Sequence, residues 1–328
     1  MAFFAFLCNP NFTEMKEYKD WLKPIENAID SLYKDKDRYG LVDPMDYIIS
    51  IGGKRIRPAL VLMTYEMFKD DAEKIVDKAI IVEAFHNFTL MHDDIMDKAP
   101  VRRGKETVHI KWNTPTAILS GDAMLVNCYQ MLANENKNVI YRFSEAAIGV
   151  CQGQMIDMDF ETRDDVTVEE YIEMIRLKTG VLLGYSMELG AMLAGASEED
   201  VANCYNSGEK MGLSFQIMDD LLDAFGEKAL VGKQIGGDIL ADKKTILSLL
   251  AFQSANSDYE DVLKMQNPEE KVSAMLKVYE NTGARQETEN LMKQYYEEAV
   301  HSLEEITVDS NRKKALSNLF GWLFERGF

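Results

Sequence analysis

Only four cysteines, Cys8, Cys128, Cys151 and Cys204, occur in 328 residues, and none stands in CxxC spacing. That excludes a zinc ribbon and a disulfide framework, and it fits a reducing cytoplasm. Proline and glycine are also scarce, at 7 and 20 residues, so long helices can run without a break. Positive charge is the minority sign: Lys+Arg 36 against Asp+Glu 55 leaves a net charge of -19. A surface of that sign repels a nucleic-acid backbone or an anionic membrane, and most of the excess serves solubility. No run approaches the roughly 18 to 20 apolar residues of a membrane span. The apolar opening Phe3 to Leu7 is shorter than a signal-peptide core and lacks a basic flank. The expectations are therefore a cytoplasmic protein with no nucleic-acid partner and no stable membrane insertion.

What the chain does have is a hydrophobic fraction of 46%, enough for a buried core. Its apolar residues recur at three and four positions, as in Ile80, Ile81, Ala84, Phe85 and Phe88. That is helical periodicity, and no strand run competes with it. Breaks fall at Tyr39 to Pro44, Lys69 to Glu73, Lys98 to Thr107, Asn134 to Asn138, Asp164 to Thr167, Gly195 to Glu198 and Ala224 to Lys243. Thr167 before Glu170 and Ser197 before Asp200 read as capped helix starts. The prediction is an all-α chain of about ten to thirteen helices. With no repeat and no Ser- or Pro-rich linker, it reads as a single domain over residues 1–328. Beyond about Ser254 it is charged and helical, with no chemical motif.

Two aspartate clusters carry the chemistry. In His92-Asp93-Asp94-Ile95-Met96-Asp97, Asp93 and Asp97 stand four apart and share a helix face, while Asp94 points elsewhere. Carboxylates stacked one turn apart repel unless cations lie between them, and their hard oxygens suit magnesium. A solvated acidic face is the plainer reading of one such cluster, but the apolar approach Phe85 to Met91 argues against it. The pattern returns in Phe215 to Asp223, with Asp219 and Asp223 again four apart around Asp220. If the two helices face each other across a bundle, four carboxylates converge and can grip a diphosphate through magnesium.

Basic segments flank the first cluster. Gly52-Gly53-Lys54-Arg55-Ile56-Arg57-Pro58 pairs two glycines with three cations, and Arg102-Arg103-Gly104 adds two guanidiniums. A basic helix start is the bland reading, yet in so acidic a chain they suggest a second anion pocket held by cations alone. His86, seven residues before Asp93, lies nearly on the same face and can donate to that anion, or it is simply a core histidine. Lys233 in the glycine-rich loop Gly232 to Asp238, Lys243 with Lys244 beyond it, and Lys178 before Thr179 and Gly180 are further cations for a bound anion. A mobile loop and a snorkelling lysine are the alternatives.

Six segments in this order, GGKRIRP, HDDIMD with RRG, GQMID, KTG, FQIMDDLLD, and GKQIGGD with KKT, resemble the trans-isoprenyl diphosphate synthases of the polyprenyl synthetase family. The resemblance spans about Ile51 to Thr245. It implies an antiparallel helix bundle around a deep central cavity, usually a homodimer. It also implies condensation of isopentenyl diphosphate with an allylic diphosphate (dimethylallyl, geranyl or farnesyl), with Mg2+ as cofactor, three ions per site. Asp93, Asp97 and Asp219 match magnesium ligands, with Asp94, Asp220 and Asp223 in support. Lys54, Arg57, His86 and Arg103 match the isopentenyl diphosphate site, and Arg102, Lys178, Lys233 and Lys243 match contacts to the allylic diphosphate. Thr179 and Gln216 match polar groups near the carbocation, and Gln154 and Asp157 match a cavity-lining segment. The ending Phe324 to Phe328 departs from relatives whose strongly basic tail closes over the site, which leaves closure by the tail open.

The family sets product length five and four positions before the first aspartate, here Phe88 and Thr89. This pairing resembles short-chain synthases making C20 or C15 products, with Phe88 as the block although an ideal helix turns it about 140° from Asp93. Two rivals are a terpene cyclase, which has no use for the GGKRIRP clamp, and an inert partner subunit, which is expected to have lost aspartates.

Overall fold

The computed structural model describes residues 16–34, 39–226, 236–254 and 256–325, and the chain there is helical almost throughout. In order come α1 (Lys16–Leu32), α2 (Val42–Ser50), α3 (Ile56–Phe68), α4 (Val76–Met96), α5 (Val108–Lys111), α6 (Thr114–Leu132), α7 (Lys137–Phe160) and α8 (Val168–Ile175). Then follow α9 (Val181–Ala194), α10 (Glu198–Phe225), α11 (Gly237–Leu240), α12 (Ile246–Ser254), α13 (Asn256–Leu263), α14 (Pro268–Asn281), α15 (Ala284–Glu304) and α16 (Ser310–Glu325). The fold is all-α, as the periodicity predicts. The segments outnumber the expected helices partly because α5 is a single turn just after the break at Lys98 to Thr107 and α11 a single turn inside the glycine-bearing break at Ala224 to Lys243. The break at Lys98 to Thr107 also holds a short antiparallel hairpin, Val101 opposite Glu106 and Arg102 opposite Lys105.

The chain packs as two compact units. The first comprises Lys16–Ser144 and Ser186–Val201. Its centre is α4, which buries every residue from Ala79 to Phe85, and a helix apolar on all sides belongs inside. α4 packs against α3 and most extensively against α6. The start of α6 is fixed by Asn113, whose side chain accepts from Thr116 N at 2.8 Å.

The second unit comprises Glu145–Tyr185 and the described chain from Ala202 onward. Its core gathers Tyr171, Ile175, Leu213, Ile217, Ile246, Leu250, Met275, Tyr279 and Met292. The predicted caps are present: Thr167 and Glu170 form a reciprocal capping box, and Ser197 Oγ accepts from Asp200 N at 3.1 Å. Around Lys178 the chain is α-helical up to Ile175 and again from Val181, and Arg176–Gly180 between them is wound as one π turn. The α7 backbone packs closely on this turn: a Cβ on Gly153 would lie 2.4 Å from Lys178 N. Such π turns gather at functional sites.

Candidate functional site

In the first unit, the basic segment is shaped by two left-handed residues, Gly52 (φ 93) and Arg55 (φ 52). A non-glycine residue in that region needs support, and Arg55 has it. Buried to 2% exposure, it donates to Glu83 Oε1 at 2.7 Å, to Glu26 Oε1 at 2.8 Å and to Ile49 O at 2.8 Å. Arg55 is therefore a strut rather than an anion ligand. Tyr18 adds a hydrogen bond to the Lys54 carbonyl.

Arg57 is different. Its Nε is buried with no hydrogen-bond partner among the described residues. Burial pushes its pKa down to about 10, with Glu83 opposing that shift and Arg103 adding to it. Arg103, left-handed at φ 51, runs over Gly53, where a Cβ would meet its guanidinium at 3.1 Å. Burial likewise lowers the Arg103 pKa, with Glu83 opposing and Arg102 adding. His86 is held neutral: burial first, then the positive charge of Arg57 and Arg103, drives its pKa well below the ordinary value. The partly buried Arg57 and the solvent-facing Arg103, beside a neutral imidazole, form a site that gains from an anion.

The first aspartate motif divides its labour. Asp94 is buried at 2% and accepts from Arg102 through Nε and Nη2, both at 2.8 Å. Asp93 is half-buried, and Asp97 is exposed at the end of α4. Deeper along α4, Phe88 is 7% exposed, 4.8 Å from the His92 ring and 5.5 Å from Phe85. Phe85 in turn lies 5.3 Å from Phe143. Thr89 donates to the His86 carbonyl at 2.8 Å, its hydroxyl turned onto its own helix.

The second unit repeats the division. Asp220, buried at 5%, accepts from the Tyr171 hydroxyl, and burial raises its pKa to about 7. Asp219 is exposed. Asp223 Oδ2 accepts from Asp238 N at 2.9 Å and its carbonyl from Gly236 N at 2.7 Å, so this aspartate anchors the following loop. Lys178 Nζ lies 2.6 Å from Asp157 Oδ2, and Thr179 Oγ1 donates to Gln216 Oε1 at 3.2 Å. Both Gln154 amide atoms are buried without partners. Lys243 is exposed, 3.3 Å from Asp238 Oδ1, while Lys233 lies outside the described residues. Sequence reasoning missed Glu83, Tyr171 and Lys271. The last is legible in hindsight, as a lysine on the apolar spacing of Met275 and Tyr279.

Comparison with known proteins identifies the family. The sequence profile described as Polyprenyl synthetase matches residues 39–282. The geranylgeranyl pyrophosphate synthase of Geoglobus acetivorans is 38% identical over 314 residues, 94% of this chain and 98% of that protein. The geranylfarnesyl diphosphate synthase of Aeropyrum pernix is 34% identical over 293 residues, 85% of this chain and 92% of that one. A crystal structure of a geranylgeranyl pyrophosphate synthase superposes with a TM-score of 0.89 at 40% identity, covering 94% of this chain and 98% of its own. The chain belongs to the polyprenyl synthetase family and is a trans-prenyltransferase.

Proposed function

We propose that the protein extends an allylic diphosphate with isopentenyl diphosphate units in the trans configuration and releases chiefly the C20 product, geranylgeranyl diphosphate. The observation that carries this is the sorting within each aspartate motif. The middle carboxylates, Asp94 and Asp220, are buried and bonded to Arg102 and Tyr171. The flanking ones, Asp93, Asp97 and Asp219, reach the surface, where a metal can approach them.

Among the described residues, no three His, Cys, Asp or Glu side chains form a ready metal cage. That donor set fits magnesium, which takes one or two protein carboxylates and completes its octahedron with water and phosphate oxygens. Asp93 and Asp97 in the first unit, and Asp219 in the second, are the ligands magnesium would take, three ions in all. It would supply neutralisation of the charge that develops on the leaving diphosphate.

The remaining work falls to side chains. Arg57, Arg103, Lys54 and His86 hold isopentenyl diphosphate by its anion and aim its double bond. Arg102, Lys178, Lys233 and Lys243 hold the allylic diphosphate. As the allylic carbon-oxygen bond breaks, the Thr179 hydroxyl and Gln216 carbonyl turn partial negative charge towards the cation. The isopentenyl alkene forms the new carbon-carbon bond, and the departing diphosphate takes the proton that restores a double bond. Phe88, backed by Phe85 and Phe143, sets the length at which growth stops.

A homodimer in the cytoplasm completes the reading. On α7, Tyr141, Ile148 and Met155 are exposed at 61%, 54% and 68%. They stand seven apart, the spacing of a helix seam. On α6, Ile118, Leu119 and Val126 are also exposed, and apolar surface of this kind suits a second copy. Free Cys128, Cys151 and Cys204 fit a reducing compartment, and no helix among the described residues is long and apolar enough to cross a membrane. The test is incubation with magnesium, isopentenyl diphosphate and farnesyl diphosphate, followed by chromatography of the dephosphorylated products. A C20 alcohol supports the proposal. A released hydrocarbon means a cyclase, and unchanged farnesol means an inert subunit.

A further inference from the structure

The first turn of α14 carries a lysine where its helix calls for an apolar residue. The buried side of α14 is Lys271, Met275 and Tyr279, at successive intervals of four, and Lys271 is only 7% exposed. A cation near a helix N-terminus also opposes the helix dipole. Its Nζ has one partner within ion-pair distance among the described residues, Asp242 Oδ1 at 2.7 Å. Asp242 is left-handed at φ 52 and immediately precedes Lys243.

The next residue of the helix, Val272, touches the other end of the same loop. A Cβ on Gly236 would stand 2.8 Å from both Val272 methyl carbons, so the glycine admits the valine. Between these two fixed points the chain is tied to itself. Asp223 takes Gly236 N and Asp238 N, Lys243 N donates to Asp238 O at 3.0 Å, and Ser248 Oγ donates to Lys243 O at 3.1 Å. α14 thus grips both ends of the segment that presents Lys243.

We propose that Lys271 is a positioning residue: it pins the Asp242 turn, and through it fixes Lys243 for contact with the allylic diphosphate, a role that rests on the reading above. Stability does not explain the lysine. A part-buried ion pair loses in desolvation much of what it gains, and an apolar side chain of similar volume often serves as well. Asp242 is 53% exposed at its side chain, so it can be hydrated once the lysine is gone.

Lys271→Met therefore keeps the fold and releases the loop. In the free protein, amides of residues 240–245 should exchange with deuterium faster than in wild type, while those of α4 are unchanged. In steady state, KM for the allylic diphosphate should rise roughly tenfold, the scale of one charged contact, with KM for isopentenyl diphosphate within about twofold of wild type. Lys271→Arg should restore most of both effects, because the guanidinium reaches the same carboxylate. Asp242→Asn breaks the pair from its exposed side and should reproduce them if Lys271→Met does not fold. Wild-type exchange at residues 240–245 in both variants overturns the proposal, as does an equal rise in both Michaelis constants. Exchange is read without substrate, so a wild-type protein that fails to condense would sink the proposed function while leaving the loop result to stand.

Discussion

Arg102 closes back on Asp94 across the turn that leaves α4, its Nε and Nη2 each 2.8 Å from the same carboxylate oxygen. The hairpin Val101 to Glu106 turns the chain so that this arginine faces the helix it has just left. Asp94 is thereby committed to holding a guanidinium, and its neighbours Asp93 and Asp97 carry the outward charge.

Replacing the two adjacent aspartates should give different kinetics. Asp93→Ala removes a metal ligand, and turnover at saturating magnesium should fall by about a hundredfold or more. Asp94→Asn loosens Arg102 and should chiefly raise KM for the allylic diphosphate, by about tenfold. Circular dichroism checks that both keep their helices. Identical losses in the two variants would remove the division of labour.

The cation pocket should answer to the other substrate. Arg57→Ala and Lys54→Ala are expected to raise KM for isopentenyl diphosphate with little change for the allylic partner, because the desolvated Arg57 gains most from that anion. Arg55→Ala should instead lower the melting temperature, since it takes the guanidinium from the buried Glu83 and leaves it only the Asn87 amide at 3.4 Å. Kinetics with each substrate varied, alongside thermal melts, separates the two arginines.

His86 predicts a pH dependence of stability. Its folded pKa lies well below the ordinary value of 6.5, through burial first and then the nearby arginines. The unfolded chain therefore binds a proton that the folded chain refuses. This contribution is complete above pH 6.5 and is lost as pH falls towards the folded pKa. Denaturant titrations between roughly pH 7 and pH 5 should show His86→Gln losing less stability than wild type. Parallel curves would mean that the imidazole is not so depressed.

Phe88→Ala should lengthen the product beyond C20, because its bulky ring, packed against His92 and Phe85, stands five residues before Asp93, where the family sets chain length. Chromatography of the dephosphorylated alcohols reads the result. A wild-type distribution would make Phe88 ordinary packing, and the milder Phe88→Leu guards against simple loss of core stability.

Helices and helix faces are written into local spacing, which is why the all-α class, the four-residue aspartate pairs and the caps at Thr167 and Ser197 were legible from the sequence. A periodicity of 3.6 states which residues share a side, and it names no neighbour across the core. Tertiary structure alone decided that Arg55 braces Glu26 and Glu83 while Arg57 keeps a partly desolvated charge, although only Ile56 separates them in one basic run. It alone turned Asp94 to Arg102 and Asp220 to Tyr171, and sent Lys271 to Asp242, 29 residues away. Those choices depend on which distant charge a buried group meets, because desolvation makes an unmet charge costly only once the fold has removed the water.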